Sequence, residues 1–127
     1  MPGKVLVVDD ERIVCRAMQK MLELRGYEVC VAKSGEDAVE KAVNEKIGLA
    51  FIDFILPGID GVEVCKELKK INPNIKTVIM SGHISILKEK KADFDNLQGC
   101  IEIMEKPFGG DDVLKIADDF FVTGQGC

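Results

Sequence analysis

Acidic side chains follow the first apolar run of this chain, where buried charge would be costly. The stretch VLVVDDE, residues 5–11, carries four apolar residues directly into three carboxylates. Later apolar runs also end in polar groups: Asp53 closes the third, Ser81 follows the fourth and Lys106 follows the fifth. Carboxylates held a few ångströms apart stay ionised only if a cation neutralises them. Hard oxygen ligands with room for water suit Mg²⁺, or Mn²⁺ in its place.

Phosphoryl transfer is the chemistry that fits these residues. With a metal ion and Lys106 beside it, an oxygen of Asp53 can attack a phosphoryl group while charge is neutralised from both sides. Ser81 could donate a hydrogen bond to a phosphoryl oxygen. Each residue alone also has an ordinary explanation, since Asp9 or Asp10 could simply cap the next helix. Asp53 is harder to explain in this way, because aspartate is disfavoured in strands.

Short apolar runs alternate with longer amphipathic stretches, which is typical of a parallel sheet covered by helices. The predicted strands are 4–8, 27–32, 49–52, 76–80 and 100–104, and the predicted helices are 12–25, 34–43, 62–71, 83–98 and 111–121. The fourth helix has only a ragged apolar stripe. The carboxyl ends of parallel strands meet at one edge of a sheet, where ligands bind. We therefore expect the acids, the serine and the lysine to converge there.

The first two helices carry the clearest boundary signals. Gly26 is the expected stop of the first helix. Ser34 is expected to open the second, with Asp37 placed where a capping-box acid favours the helix N-terminus. The predicted apolar stripe of the first helix consists of Ile13, Ala17, Met18, Met21 and Leu22.

Composition limits the class of protein. The 127 residues fit one domain, expected over residues 1–123 with a flexible tail at 124–127. The formal net charge of −5 argues against nucleic acid as the main partner, because phosphate binding needs a basic surface. The start does not resemble a signal peptide and no apolar run is long enough to span a bilayer, so we expect a soluble cytoplasmic protein.

The cysteines are expected to be small buried residues in a reducing compartment, because they are widely spaced and form no C-x-x-C pair. A zinc site is not expected, since the only histidine, His83, has no cysteine near it. The five cysteines are Cys15, Cys30, Cys65, Cys100 and Cys127.

The ordered motifs resemble those of a response-regulator receiver domain of two-component signalling. These motifs are D-D-E after the first strand, D-F-I-L-P-G-I-D-G around the end of the third, M-S-G after the fourth and E-K-P-F-G after the fifth. The resemblance covers essentially the whole chain. It implies an α/β fold of the flavodoxin-like type, a doubly wound five-stranded parallel sheet in the order 2-1-3-4-5 flanked by five helices.

The same resemblance implies a role for each acid. Asp53 would accept a phosphoryl group from a sensor histidine kinase or a histidine phosphotransfer protein. Asp10 would ligate Mg²⁺ directly and Asp9 mainly through water, and the backbone carbonyl of Ile55 would complete the protein ligands.

The resemblance also implies how the phosphoryl group would be held and read out. Ser81 and Lys106 would grip it, and a cis peptide bond between Lys106 and Pro107 would aim the lysine into the site. A downstream protein or output domain would bind the face formed by the fourth helix, the fifth strand and the fifth helix. Direct contact with nucleic acid or a membrane is not expected.

One position departs from the common family pattern, and two others occupy places where the family varies its control of water. Ile103 stands where the family often has an aromatic residue that turns inward, so we expect the signal to pass through Ser81 and its loop or through the fourth helix. Ile55 and His83 stand where the family places side chains that control attack by water. Because isoleucine cannot orient a water, we expect slow autodephosphorylation. His83 is either a polar aid to that reaction or an exposed loop residue.

Three other functions share parts of this pattern. A flavin carrier needs a hydroxyl- and glycine-rich loop after the first strand, where the acids would repel its phosphate. A phosphatase with an aspartyl nucleophile generally needs a second acid at position 55, which is isoleucine. A receiver-like module that binds partners without phosphorylation remains the alternative, but it leaves the full set of polar residues unexplained.

Overall fold

Five strands form one parallel sheet in the computed structural model of this chain, which describes residues 3–82 and 101–122. The strand order is β2-β1-β3-β4-β5, so the predicted fold class and strand order are confirmed. The strands are β1 (Lys4–Val8), β2 (Glu28–Ala32), β3 (Leu49–Asp53), β4 (Lys76–Ser81) and β5 (Ile101–Glu105), and all four neighbouring pairs are parallel.

The described residues contain four helices, whereas five were predicted. They are α1 (Arg12–Leu24), α2 (Gly35–Asn44), α3 (Gly61–Ile71) and α4 (Gly110–Phe121). The last of these is the helix predicted as the fifth. The helix predicted over 83–98 lies outside the described residues, as do His83, Cys100 and the tail predicted at 124–127. None of the four helices is long and apolar enough to cross a bilayer.

The sheet separates two cores. Alternate side chains of a strand point to opposite faces, so Leu6 and Val8 of β1 face one core while Val5 and Val7 face the other. The first core is closed by α2 and α3, and the second by α1 and α4. β3 and β4 are buried along their whole length, which explains their nearly continuous apolar runs.

The buried stripe of α1 differs from the predicted one. Cys15, Met18 and Leu22 are buried, while Ile13 is 83% exposed and Ala17 is exposed. Ile13 and Ala17 each stand two residues from Cys15, about 200° around the helix, and therefore face away from the sheet. The prediction counted only conventional apolar residues and left out the cysteine that occupies the core position.

Helix ends follow the predicted signals closely. Gly26 ends α1 with φ of 101°, a left-handed conformation that favours glycine. Ser34 lies just before α2, and its Oγ accepts a hydrogen bond from the Asp37 N–H at 3.1 Å. Asp60 caps α3 in the same way, accepting from the Glu63 N–H at 3.0 Å. The caps of α2 and α3 fix the chain at the carboxyl edge of the sheet.

Candidate functional site

Three aspartates converge at the carboxyl ends of β1 and β3. Asp9, Asp10 and Asp53 each offer one carboxylate oxygen, and these oxygens lie within 4.8 Å of one another. Asp9 is fully buried and Asp53 is 8% exposed, while Asp10 is exposed. Oxygen donors that are partly buried and open to water on one side are the ligands of a hard divalent cation that keeps some of its waters. These residues therefore fit Mg²⁺.

Lys106 supplies a positive charge to the same site. Its Nζ lies 3.2 Å from Oδ2 of Asp9 and 3.4 Å from Oδ2 of Asp53, and it donates a hydrogen bond to each. The lysine directly follows β5, and its backbone N–H donates to the carbonyl oxygen of Ser81 at 2.7 Å. The Lys106-Pro107 peptide bond is cis, the isomer that the family resemblance implies.

The carboxylates outnumber the cation, and burial makes their charge costly. Burial raises the pKa of Asp53 above its usual value and the charge of Asp9 raises it further, while Lys106 and the Ile55 N–H oppose the shift. Burial lowers the pKa of Lys106, but the two carboxylates outweigh this effect and leave that pKa raised. A site of this charge gains from any cation that binds among its oxygens.

Asp9 is held from two sides. Its Oδ1 accepts a hydrogen bond from the Glu11 N–H at 2.9 Å, while its Oδ2 faces Lys106. The Cys15 thiol donates to the carbonyl oxygen of Asp9 at 3.1 Å. Glu11 is the N-cap of α1 and makes no side-chain cap. A local turn thus accounts for only one of the two Asp9 carboxylate oxygens.

The loop between β3 and α3 holds Asp53 in place. The Ile55 N–H donates to Oδ1 of Asp53 at 3.3 Å, and the Ile55 side chain is 56% exposed. Gly61 closes the loop by donating its N–H to the carbonyl oxygen of Phe54 at 3.0 Å. The sequence did not single out Gly61 for this close contact, nor Glu36, whose carboxylate reaches this loop from α2.

Three further residues were predicted to belong to the site or to influence it, namely Ser81, Ile103 and His83. Ser81 ends β4, is 2% exposed and pairs with Glu105 in the register of β4 and β5, so it lies at the same edge as the acids. Ile103 lies on β5 with its side chain 45% exposed. His83 falls outside the described residues, so its predicted role stays a prediction.

Comparison with known proteins finds the same family in a family model and in individual relatives. A family model described as the response regulator receiver domain matches residues 5–118. The alkaline phosphatase synthesis transcriptional regulatory protein PhoP of Bacillus subtilis (strain 168) is 38% identical over 112 residues, which are 85% of this chain and 44% of that protein. The response regulator MprA of Mycobacterium sp. (strain KMS) is 30% identical over 114 residues, 90% of this chain and 48% of that protein. The chain therefore spans less than half the length of these relatives.

A solved structure shares the fold. The CheY-like response regulator receiver domain protein from Methanospirillum hungatei JF-1 superposes with a TM-score of 0.82 at 28% sequence identity. The match covers 91% of this chain and 90% of that one. The likeness therefore extends over nearly the full length of both chains.

Proposed function

Because this chain belongs to the response regulator receiver domain family, we propose that Asp53 accepts a phosphoryl group from a phosphohistidine donor in a Mg²⁺-dependent reaction. The observation that carries this proposal is the convergence of Asp53 with two further carboxylates and Lys106 at one edge of the sheet. Receiver domains are phosphoacceptors that assist their own modification rather than enzymes acting on a separate substrate. The donor is a sensor histidine kinase or a histidine phosphotransfer protein, and the reaction takes place in the cytoplasm.

The metal would be held by Asp10, Asp53 and the backbone carbonyl of Ile55, with Asp9 acting mainly through water. When bound, it would neutralise negative charge on the phosphoryl oxygens. A carboxylate oxygen of Asp53 forms the new bond to phosphorus while the bond from phosphorus to the imidazole nitrogen of the donor breaks. The released imidazole takes its proton from solvent.

Two further side chains act on the phosphoryl group. Lys106, which contacts the carboxylates of Asp9 and Asp53, can turn its ammonium group to the phosphoryl oxygens as their charge arrives. Ser81 can donate its hydroxyl proton to one of these oxygens. The signal would then pass through Ser81 and its loop, or through the helix predicted over 83–98, to the predicted output face, which includes that helix, β5 and α4 and binds a downstream partner or output domain. Ile103 leaves that route without an aromatic switch.

Phosphorylation by a small donor tests the proposal. We expect intact-mass analysis after incubation with acetyl phosphate and Mg²⁺ to show one added phosphoryl group on the wild type and none on Asp53→Asn, because the amide cannot act as the nucleophile. Wild-type protein incubated with the donor and EDTA serves as the control. Equal labelling of the two proteins would refute the assignment of Asp53, and absence of labelling would favour the module that binds without phosphorylation.

Slow loss of the phosphoryl group is a second expectation, since the side chain of Ile55 offers no polar atom to orient a water. Ile55→Asn should speed that loss roughly several-fold, because the amide can hold a water near the phosphoryl group. The rate is measured by intact mass after the donor is removed. Ile13→Asn introduces the same change at an isoleucine that is 83% exposed and lies on α1, and it should have no effect. Rapid loss from the wild type that Ile55→Asn leaves unchanged would refute this expectation.

A further inference from the structure

Glu36, in the first turn of α2, reaches the loop that joins β3 to α3. Its Oε1 accepts a hydrogen bond from the backbone N–H of Ile59 at 3.4 Å. The same carboxylate covers Gly58, because a Cβ built on Gly58 would lie 2.5 Å from Oε1 and 3.0 Å from Oε2 of Glu36. Gly58 has φ of 80°, a conformation that favours glycine. The carboxylate of Glu36 therefore lies directly on the turn of this loop.

The neighbouring residue of α2 contacts the same turn. A Cβ built on Gly35 would lie only 2.3 Å from Cγ1 of Ile59, so the helix backbone packs closely on the isoleucine side chain. Ile59 in turn packs against the core that α2 and α3 close. The packing of Gly35 cannot be removed without disturbing this core. Glu36 is exposed, and its carboxylate can be changed while the core stays intact.

This loop carries groups that belong to the proposed metal site. The Ile55 N–H donates to Asp53, and the Ile55 carbonyl is the proposed backbone ligand. The loop is tied at its start by the Phe54 N–H, which donates to the carbonyl oxygen of Met80 at 2.9 Å, and its other end is tied by Gly61. The hydrogen bond from Ile59 to Glu36 ties it between these two points.

We propose that Glu36 is a positioning residue for the metal site. By accepting the hydrogen bond of Ile59 and covering Gly58, it holds the loop so that the Ile55 carbonyl and the Asp53 carboxylate are arranged before the cation arrives. Groups that orient metal ligands raise affinity because less ordering remains for the binding step. The inference rests on the proposed function. It also requires only a hydrogen-bond acceptor at position 36, and not a negative charge.

Titration calorimetry of MgCl₂ into the full chain separates the effect of the hydrogen-bond acceptor at position 36 from the effect of its negative charge. Glu36→Ala removes the acceptor and the charge, and should weaken Mg²⁺ binding about 3- to 10-fold. Glu36→Gln removes the charge but keeps an acceptor oxygen, and should bind like the wild type. Glu40→Ala removes one charge from an exposed residue one turn further along α2, and should also bind like the wild type.

Amide exchange of the metal-free protein gives a readout that does not depend on Mg²⁺. The Ile59 N–H should exchange faster in Glu36→Ala than in the wild type, and Glu36→Gln should restore its protection. Wild-type affinity in Glu36→Ala, or equal weakening by alanine and glutamine, would overturn this inference alone. A wild-type protein that binds no Mg²⁺ would overturn the proposed metal site and this inference with it.

Discussion

Lys106→Met should lower the free energy of unfolding by about 2–3 kcal/mol in the absence of divalent cations. The ammonium group contacts both Asp9 and Asp53, which are buried, and its side chain is only 23% exposed. Methionine fills a similar volume but leaves two buried carboxylates without their cation. Their mutual repulsion and desolvation are then no longer offset.

The stability that Lys106→Met loses should increase as the pH rises. Since the pKa of Asp53 is raised above 3.8 by burial and by Asp9, the protonated form of Asp53 favours the folded state. The stability that this protonation contributes is complete at pH values below the pKa of Asp53 in the unfolded chain. It is lost as the pH rises through the pKa of Asp53 in the folded protein. Lys106 lowers the pKa of Asp53 in the folded protein, so its removal raises that pKa further. With rising pH, Lys106→Met should therefore lose stability over a wider range above 3.8 than the wild type does.

Denaturant unfolding in EDTA, at mildly acidic and at neutral pH, measures the effect. Mg²⁺ should restore much of the lost stability of Lys106→Met, because it replaces the missing positive charge. The double variant Asp53→Asn with Lys106→Met removes one of the two carboxylates as well, and should be more stable than Lys106→Met in EDTA. Equal stability of wild type and Lys106→Met at both pH values would show that these charges do not interact as the geometry requires.

Gly61→Ala should lower the free energy of unfolding by about 2–4 kcal/mol and weaken Mg²⁺ binding. A Cβ at this position would lie 2.7 Å from the carbonyl oxygen of Asp53 and 2.9 Å from Cα of Phe54. Both are backbone atoms at the end of a buried strand, so neither can rotate away as a flexible side chain could. The loop must move instead, and it carries Asp53 and the Ile55 carbonyl with it.

Gly82→Ala is the matched control for this substitution. Among the described residues, the nearest atom to a Cβ on Gly82 would be Cβ of Lys106 at 4.0 Å, an ordinary van der Waals distance, so we expect the stability of Gly82→Ala to change by less than about 1 kcal/mol. Thermal unfolding and MgCl₂ titration of both variants give the comparison. If Gly61→Ala were as stable as Gly82→Ala and bound Mg²⁺ equally well, the close approach at Gly61 would have no bearing on the site.

The carboxyl edge of the sheet was predictable because its signals are local. An apolar run that ends in Asp53, or a run followed by Lys106, marks a strand end, and parallel pairing brings all such ends together. The stripe of α1 was predicted wrongly at Ile13, since an exposed isoleucine and a buried one look alike in a sequence. Cys15 occupies a core position of α1, but the predicted apolar stripe did not include it.

Contacts between distant segments left no signal in the sequence. Glu36 and Ile59 are 23 residues apart, and nothing in the spacing of α2 indicates that its first turn holds the β3–α3 loop. The close approach at Gly61 depends in the same way on the path of the neighbouring backbone. These contacts are set by tertiary packing, which periodicity and capping signals do not encode.

Locating the phosphoryl group is the most direct test of the claim that a metal-filled acidic site makes one carboxylate reactive. Borohydride reduces an aspartyl phosphate to homoserine, which peptide mass spectrometry assigns to one position. After incubation with acetyl phosphate we expect homoserine at position 53 when Mg²⁺ is present, and aspartate there when EDTA replaces it. Homoserine at position 9 or 10, or equal conversion of Asp53 with EDTA, would contradict the account.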